Sequence, residues 1–323
     1  MISNKRSEGQ TVVVAMGGHA FMQPGQRGTH AQHVANGRMI CHQIMTLVER
    51  GYNVVITHGN GPQVGELLMQ SELTRDQVPA MPLDVLVAQT EGSLGYFLQQ
   101  SLLNELRARD IRRYVVTVVT QVVVERDDPA FAVPTKPVGP FLPRDTAQVR
   151  ADEFGWVVCE QDSRGWRRQV PSPRPRKVIQ RRMISEAAGA GHIVVAAGGG
   201  GIPVVKAENS DDYVGIEAVI DKDLTSSVLA TDVGADLLII LTAVDQVYVN
   251  FGQTGQVGLG AVTLAECERH IDAGHFPAGS MGPKVEAIYQ FLLRGGSRGL
   301  ITSADKLPAA LDGQAGTHFI GKI

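Results

Sequence analysis

Thr11-Val-Val-Val-Ala-Met-Gly-Gly18 sets the reading of the fold, and Asn53-Val-Val-Ile-Thr-His-Gly-Asn-Gly-Pro62 repeats its grammar. Each is a short apolar, β-branched run that empties into glycine, the pattern of a buried strand followed by a tight loop. Between them Ile40, Ile44, Leu47 and Val48 fall at i, i+4, i+7 and i+8, one face of a helix that Gly51 stops. Strand, glycine loop, helix, strand, glycine loop predicts an α/β fold with a parallel sheet. The rhythm continues: the run at 192–197 feeds four glycines at 198–201, the run at 237–241 feeds Thr242-Ala-Val-Asp245, and 300–302 is a final core strand. The β-branched stretch 114–124 adds a strand, and helices are predicted over 83–106, 177–188, 222–233, 264–273 and 283–294.

Residues 125–175 break this pattern. Eight prolines, at 129, 134, 137, 140, 143, 171, 173 and 175, surround an alternating stretch at 155–170 that holds both tryptophans, Trp156 and Trp166. Proline is tolerated at strand edges rather than inside a ladder, and a structureless loop of this length is rare in a compact domain. The segment therefore predicts an inserted, proline-edged β-rich subdomain that projects from the main sheet, its tryptophans packing a hairpin. The expected organisation is a flexible extension at 1–10 and a single domain at 11–323 carrying the insertion at about 125–175.

Composition narrows the function classes. The 323 residues carry 30 Lys+Arg against 33 Asp+Glu, a net charge of −3, and 43% apolar residues. That supports a substantial core and argues against coating nucleic acid. Eight basic residues and no acid fall between Arg164 and Arg182; the expectation is a solvated rim with affinity for anions, not a nucleic-acid surface. No apolar run approaches the roughly 18 residues of a membrane span, and the polar 1–10 stretch has no signal-peptide core, so a cytoplasmic protein is expected. Cys41, Cys159 and Cys267 are distant, odd in number and in no ligand spacing, which predicts reduced thiols. Glycine is abundant, 36 of 323 or about 11% against about 7% on average, and much of it follows strands.

In an open parallel sheet the ligand crevice lies at those carboxyl ends. Glycine lets backbone N–H groups approach an anion, and a following helix N-terminus adds partial positive charge. One Gly-Gly after a strand is usually a turn; Gly17-Gly18, Gly59-Asn60-Gly61 and the glycines at 198–201 together point to a phosphate-rich ligand. There is no GxxxxGK[ST] loop and no well-placed GxGxxG, which disfavours a dinucleotide-dependent dehydrogenase. Lys136 sits between prolines, Lys222 between Asp221 and Asp223, and Lys284 after Gly-Pro. Such settings hold an ammonium in place, and phosphoryl transfer needs positive charge around the moving group more than covalent chemistry. Asp221 and Asp223 could bind a metal, but fixing the lysine or capping the following helix suits them better. His58 is equally a strand-end structural residue or a substrate contact.

Five motifs in order, His58-Gly-Asn-Gly-Pro-Gln-Val-Gly65, Pro134-Thr-Lys-Pro-Val-Gly-Pro140, Ala197-Gly-Gly-Gly-Gly-Ile-Pro203, Glu217-Ala-Val-Ile-Asp-Lys-Asp223 and Gly279-Ser-Met-Gly-Pro-Lys284, closely resemble the carbamate kinases of the amino-acid kinase superfamily. The resemblance runs from Val12 to the C-terminus. It implies a three-layer αβα sandwich with a mainly parallel sheet and a protruding subdomain, a homodimer, Mg²⁺ with ATP or ADP as co-substrate, and the reaction carbamoyl phosphate + ADP ⇌ carbamate + ATP. Carried over residue by residue, it implies that Gly17, Gly18, Gly59, Asn60 and Gly61 cradle the phosphoryl group and that Lys222 contacts it. Asp223 would orient the lysines, Lys284 neutralise nucleotide phosphates, and Lys136 reach in from a lid. Asp245, Tyr248, Gly279, Ser280, Met281 and Gly282 would hold the nucleotide, with Mg²⁺ on phosphate oxygens rather than in a protein cage.

The family usually reads Gly-Gly-Asn-Ala in the first loop; here it is Gly17-Gly18-His19-Ala20. His19 is expected to replace the asparagine hydrogen bond, the alternative being a narrowed pocket or altered acceptor preference. Gln89-Thr-Glu-Gly-Ser-Leu-Gly95 also departs from the family wording, and its helical position suggests packing or dimer contacts. Two rival functions stay open: a superfamily kinase for another acyl or carboxyl acceptor, and a catalytically silent subunit that binds nucleotide or carbamoyl phosphate.

Overall fold

The computed structural model describes residues 9–17, 21–23, 25–161, 164–277 and 279–321. Most of the expected N-terminal extension, together with Gly18 and His19, lies outside the described residues. In chain order the elements begin with β1 (Thr11–Met16), α1 (His30–Glu49), β2 (Asn53–His58), α2 (Gly61–Leu73), α3 (Leu83–Ala108), β3 (Val115–Val118) and β4 (Gln121–Val123). The proline-rich segment supplies β5 (Lys136–Leu142), α4 (Arg144–Phe154), β6 (Val157–Glu160) and β7 (Trp166–Val170). Then come β8 (Lys177–Val178), α5 (Arg181–Gly189), β9 (Ile193–Ala196), β10 (Ile202–Lys206), β11 (Tyr213–Gly215), α6 (Lys222–Asp232) and β12 (Leu237–Thr242). The chain closes with β13 (Val247–Val249), β14 (Val257–Leu259), β15 (Ala261–Thr263), α7 (Leu264–Asp272), α8 (Gly282–Leu293), β16 (Arg298–Ser303), α9 (Leu307–Leu311) and β17 (Thr317–Ile320).

The central sheet has eight strands in the order β15-β17-β16-β12-β1-β2-β9-β3. All neighbours run parallel except β16 and β17. Because side chains alternate across a strand, β1 feeds two cores. Val13 and Ala15 join Ile184, Leu229, Val285 and Phe291 on the face covered by α5, α6, α7 and α8. Val12, Val14 and Met16 join Ile44, Leu98 and Leu102 under α1, α3 and α9. This is the expected three-layer αβα sandwich. Its helices start on local signals: Thr29 and Gln32 form a capping box on α1, as Thr263 and Glu266 do on α7, while Asp221 caps α6.

Two predicted elements divide. The 114–124 run is two strands, since the chain leaves the main sheet after β3 and β4 enters a second sheet, β11-β10-β4-β8. The helix predicted from 177 begins at Arg181 because Lys177 and Val178 pair with β4. Residues 136–170 form a separate antiparallel sheet, β5-β7-β6, with α4 beside it. All three cysteines are free thiols, and no helix among the described residues is long and apolar enough to cross a membrane.

Candidate active site

The carboxyl ends of β1, β2, β9 and β12 open along one rim of the sheet. There the Gly17 N–H donates to the Leu241 carbonyl and the Gly59 N–H to the Met16 carbonyl, both at 3.2 Å. These two amides thus continue the sheet ladder, and the glycines allow the chain to turn close to its neighbours. Gly61 opens α2 with Pro62 behind it, so the unpaired amides of a helix N-terminus face the rim. Buried Asn60 donates from Nδ2 to Thr90 Oγ1 on α3 at 2.9 Å and lies against Gly199, whose φ of 67° and lack of a Cβ permit the approach. On the same turn the Gly200 carbonyl accepts the Thr225 hydroxyl of α6 at 2.8 Å.

The three lysines singled out in the sequence meet through two carboxylates. Lys136 Nζ, on the first residue of β5, is 3.0 Å from Asp221 Oδ2. The other oxygen of Asp221 accepts the Asp223 and Leu224 N–H groups at 2.9 and 3.3 Å, capping α6. Lys222 Nζ donates to Asp223 Oδ1, and Lys284 Nζ, from the first turn of α8, donates to Asp223 Oδ2 at 2.9 Å. Two aspartates thus gather three ammonium groups from three separate parts of the chain, leaving one net positive charge. Burial would raise both acids, but Lys136 and Lys222 hold Asp221 well below the usual carboxylate range, and Lys222 and Lys284 hold Asp223 down. Burial lowers the Lys222 ammonium, partly offset by Asp223; for Lys284 the attraction of Asp223 outweighs burial and raises it.

A cavity of about 1080 Å³ runs from Lys284 across the ends of β1, β12 and β16; Lys136, Lys222, their aspartates and residues 59–61 are not among its lining residues. Gly17, Tyr248, Gly279, Ser280, Met281 and Lys284 all line it. Gly282 begins α8 and donates its N–H to the Pro277 carbonyl at 3.0 Å, which shapes the loop beside the cavity. Asp245 accepts the hydroxyl of Ser303, a lining residue, at 2.7 Å.

Several site residues carried no sequence signal. Thr57 at the end of β2 and Ser226 of α6 share a buried hydroxyl contact at 2.6 Å, joining the second glycine loop to the lysine helix. Such pairs depend on which helix lies over which strand. His58 is 1% exposed, its Nδ1 3.1 Å from the Gly59 carbonyl. Burial pushes its imidazole down to about 4, with Lys222 nearby adding to the fall and the Gly59 bond opposing it, so it is an uncharged strand-end residue at neutral pH. The basic run is only in part a solvated rim: Arg167 donates to the Gly139 carbonyl at 2.9 Å, and Arg168 pairs with Glu72 at 2.5 Å over the Trp156 ring.

A parallel sheet whose carboxyl-end loops meet an array of lysines defines a phosphate-handling α/β protein, and comparison with known proteins places it. The amino acid kinase family model matches residues 10–303, and the chain belongs to that family. Within the family its similar relatives include carbamate kinases: that of Pyrococcus horikoshii is 47% identical over 96% of this chain and 98% of its own length. The carbamate kinase of Staphylococcus haemolyticus is 46% identical over 95% and 98%. The structure of the Giardia lamblia carbamate kinase bound to AMP-PNP superposes with a TM-score of 0.90 at 38% identity, covering 98% of this chain and all of that one.

Proposed function

We propose that the chain is a carbamate kinase, transferring a phosphoryl group between carbamoyl phosphate and ADP to give carbamate and ATP. The observation that carries the reading is the joining of Lys136, Lys222 and Lys284 through Asp221 and Asp223, with Lys284 also lining the cavity. Phosphoryl transfer spreads charge over the oxygens of the moving group, and preorganised cations beside it lower the barrier without covalent chemistry. Lys222, fixed on the first turn of α6, contacts the transferring group. Asp223 sets its spacing from Lys284, which faces the nucleotide phosphates. Gly17, Gly59, Asn60 and Gly61 cradle the moving group, with the α2 N-terminus adding its partial charge; the family resemblance gives Gly18 and His19, which lie outside the described residues, a part in the same binding. Asp245, Tyr248 and residues 279–282 form the nucleotide side. Carbamate is already an anionic oxygen nucleophile, so no general base is needed; alignment and charge compensation suffice.

The carboxylates of the cluster are engaged by lysines, and no group of three His, Cys, Asp or Glu side chains among the described residues could hold a metal ion. A cation carried on the nucleotide's phosphate oxygens suits this donor set, and Mg²⁺ there would supply further charge neutralisation. The β5-β7-β6 subdomain acts as the lid that delivers Lys136. A homodimer in the cytoplasm completes the reading, supported by exposed Tyr96, Tyr114 and Val119 around edge strand β3. Coupled assay of ATP formation from ADP with carbamoyl phosphate or acetyl phosphate as donor, run beside ATP consumption with N-acetylglutamate as acceptor, tests the proposal. Turnover with carbamoyl phosphate alone supports it. Preference for another acceptor, or calorimetric binding of nucleotide without turnover, overturns it.

A further inference from the structure

Glu91, in the N-terminal half of α3 and within the 89–95 stretch expected to serve packing or dimer contacts, is 1% exposed and has no part in the chemistry above. Its Oε2 accepts the main-chain N–H of Thr120 at 2.8 Å, and its carboxyl also accepts the Gly198 N–H. Its Oε1 has no hydrogen-bond partner among the described residues. Both donors sit at crossings. Thr120 is where the chain leaves β3 for β4: its carbonyl accepts the Ile202 N–H at 2.8 Å, and its hydroxyl accepts the Ala197 N–H at 2.9 Å. Gly198 is the matching point where β9 hands over to β10. One carboxyl thus ties the two places at which neighbouring parallel strands step from the main sheet to the second sheet.

The other side of the same turn faces the site. Gly199 lies against the Asn60 side chain, and Gly200 is bound to Thr225 on α6, the helix that begins with Lys222. Gly198 fits between Glu91 and His58 because it has no Cβ; one placed there would stand 3.2 Å from Glu91 Cγ and 2.5 Å from His58 Nε2. We propose that Glu91 is a positioning residue of the active site, which by holding Thr120 and Gly198 sets where the glycine turn stands between Asn60 and the first turn of α6. It touches no reacting atom and acts through the turn.

Its charge state follows from its surroundings. Burial pushes the carboxyl well above the usual range, further than the Thr120 and Gly198 bonds pull it back. The titratable groups near the turn are His58 on β2, uncharged through burial, and Lys222 and Asp223 on α6, which pair with each other. β3, β9 and the glycine turn carry none. Glu91 therefore keeps its proton to a higher pH than an ordinary glutamate. Its native proton is one the unfolded chain releases above the ordinary glutamate range, so its contribution to stability is present at low pH and falls as pH rises toward the native value.

The activity readout rests on the carbamate kinase reading; the stability readout does not. Wild type, Glu91→Gln and Glu91→Leu are compared by ATP formation at pH 7 and by thermal unfolding from pH 5 to 9. The Leu variant, which offers neither amide an acceptor, is expected to lose about 10–100-fold in kcat/KM, the scale of a displaced site wall. Gln, uncharged and of the same shape, is expected to restore most of that loss, and its unfolding midpoint should rise relative to wild type as pH increases. Wild-type kinetics in the Leu variant, or a Gln variant no better than Leu, overturns the proposal. Should the Leu variant not fold, the Gln comparison decides: a midpoint difference that stays constant with pH overturns it. A wild type that makes no ATP would refute the kinase reading, while the pH comparison still tests the buried carboxyl.

Discussion

Lys222 and Lys136 end within one ionic cluster but come from unlike regions. Lys222 is 8% exposed, on the first turn of a helix whose far end is embedded in the main core. Asp221 caps that helix, while Thr225 and Ser226 bind it to the glycine turn and to β2. Lys136 stands on a three-stranded sheet that adds aromatic and charged contacts to a small aliphatic cluster. Arg168 lies over Trp156, Arg75 and Arg150 over Phe154, and Arg164 and Arg167 over Phe141. Glu72 of α2 receives both the Trp156 Nε1 proton, at 2.9 Å, and the Arg168 guanidinium. At Gly65 the α2 backbone touches Gly139 so closely that a Cβ would collide with it. The main core and buried hydroxyl contacts fix the first lysine; a smaller aliphatic cluster that seats Val138 and Val170 on α2 and α3, with cation–π contacts, one shared carboxylate and a glycine pair around it, holds the second. The first suits an immobile electrostatic template, the second a charge delivered with the substrate.

Replacing Lys222 with Ala should therefore give the largest effect: a fall of about 10²–10³-fold in kcat, the scale for one preorganised donor, with far-UV spectrum and unfolding midpoint close to wild type. Asp221 still caps α6 in that variant, so the fold does not depend on the ammonium. Lys136→Ala should cost about 10–30-fold, mostly as a raised KM for carbamoyl phosphate, because a delivered charge binds ground and transition states alike. The two variants test the contrast directly. If Lys136→Ala lowers kcat as far as Lys222→Ala with KM unchanged, the lysines are equivalent and the contrast fails.

The fixed region was the more legible of the two. Buried parallel strands announce themselves as continuous apolar runs, because burial on both faces leaves no room for alternation; β1, β2 and β9 were visible as such runs emptying into glycine, and β12 as one emptying into Thr242-Ala-Val-Asp245. Lys222 between two aspartates at a helix start was legible for a similar local reason. What sequence could not give was the partner of each aspartate. Asp221 joins Lys136 across 85 positions and Asp223 joins Lys284 across 61, pairings set by topology. Nor could it show that the 114–124 run changes sheets at Thr120, since both halves are equally β-branched and the break is stabilised by Glu91 from a distant helix. In the subdomain Pro143 and Pro171 flank strands, but Pro137 and Pro140 lie within β5, an outer strand of its sheet; α4 has a weakly amphipathic sequence with Ala147 as its one buried residue, and nothing in its pattern separates it from a loop.

The smallest expected effect sharpens the contrast most, because it isolates the attachment of the subdomain from its chemistry. Glu72→Gln keeps an acceptor for the Trp156 N–H and removes only the charge opposite Arg168. Those two side chains are 16% and 20% exposed, so the pair is partly desolvated and stronger than a surface ion pair, yet still open to screening. We expect about a 3–10-fold rise in KM for carbamoyl phosphate with kcat nearly unchanged, and faster amide exchange across β5, β6 and β7 but not across β1, β2 and β12. Added salt should weaken wild type toward the variant, since ions screen a charge pair but leave the aliphatic core of the main sheet untouched. Exchange that rises equally in both regions would mean that the subdomain and the sheet open as one unit, and Lys136 would then belong to the same rigid template as Lys222.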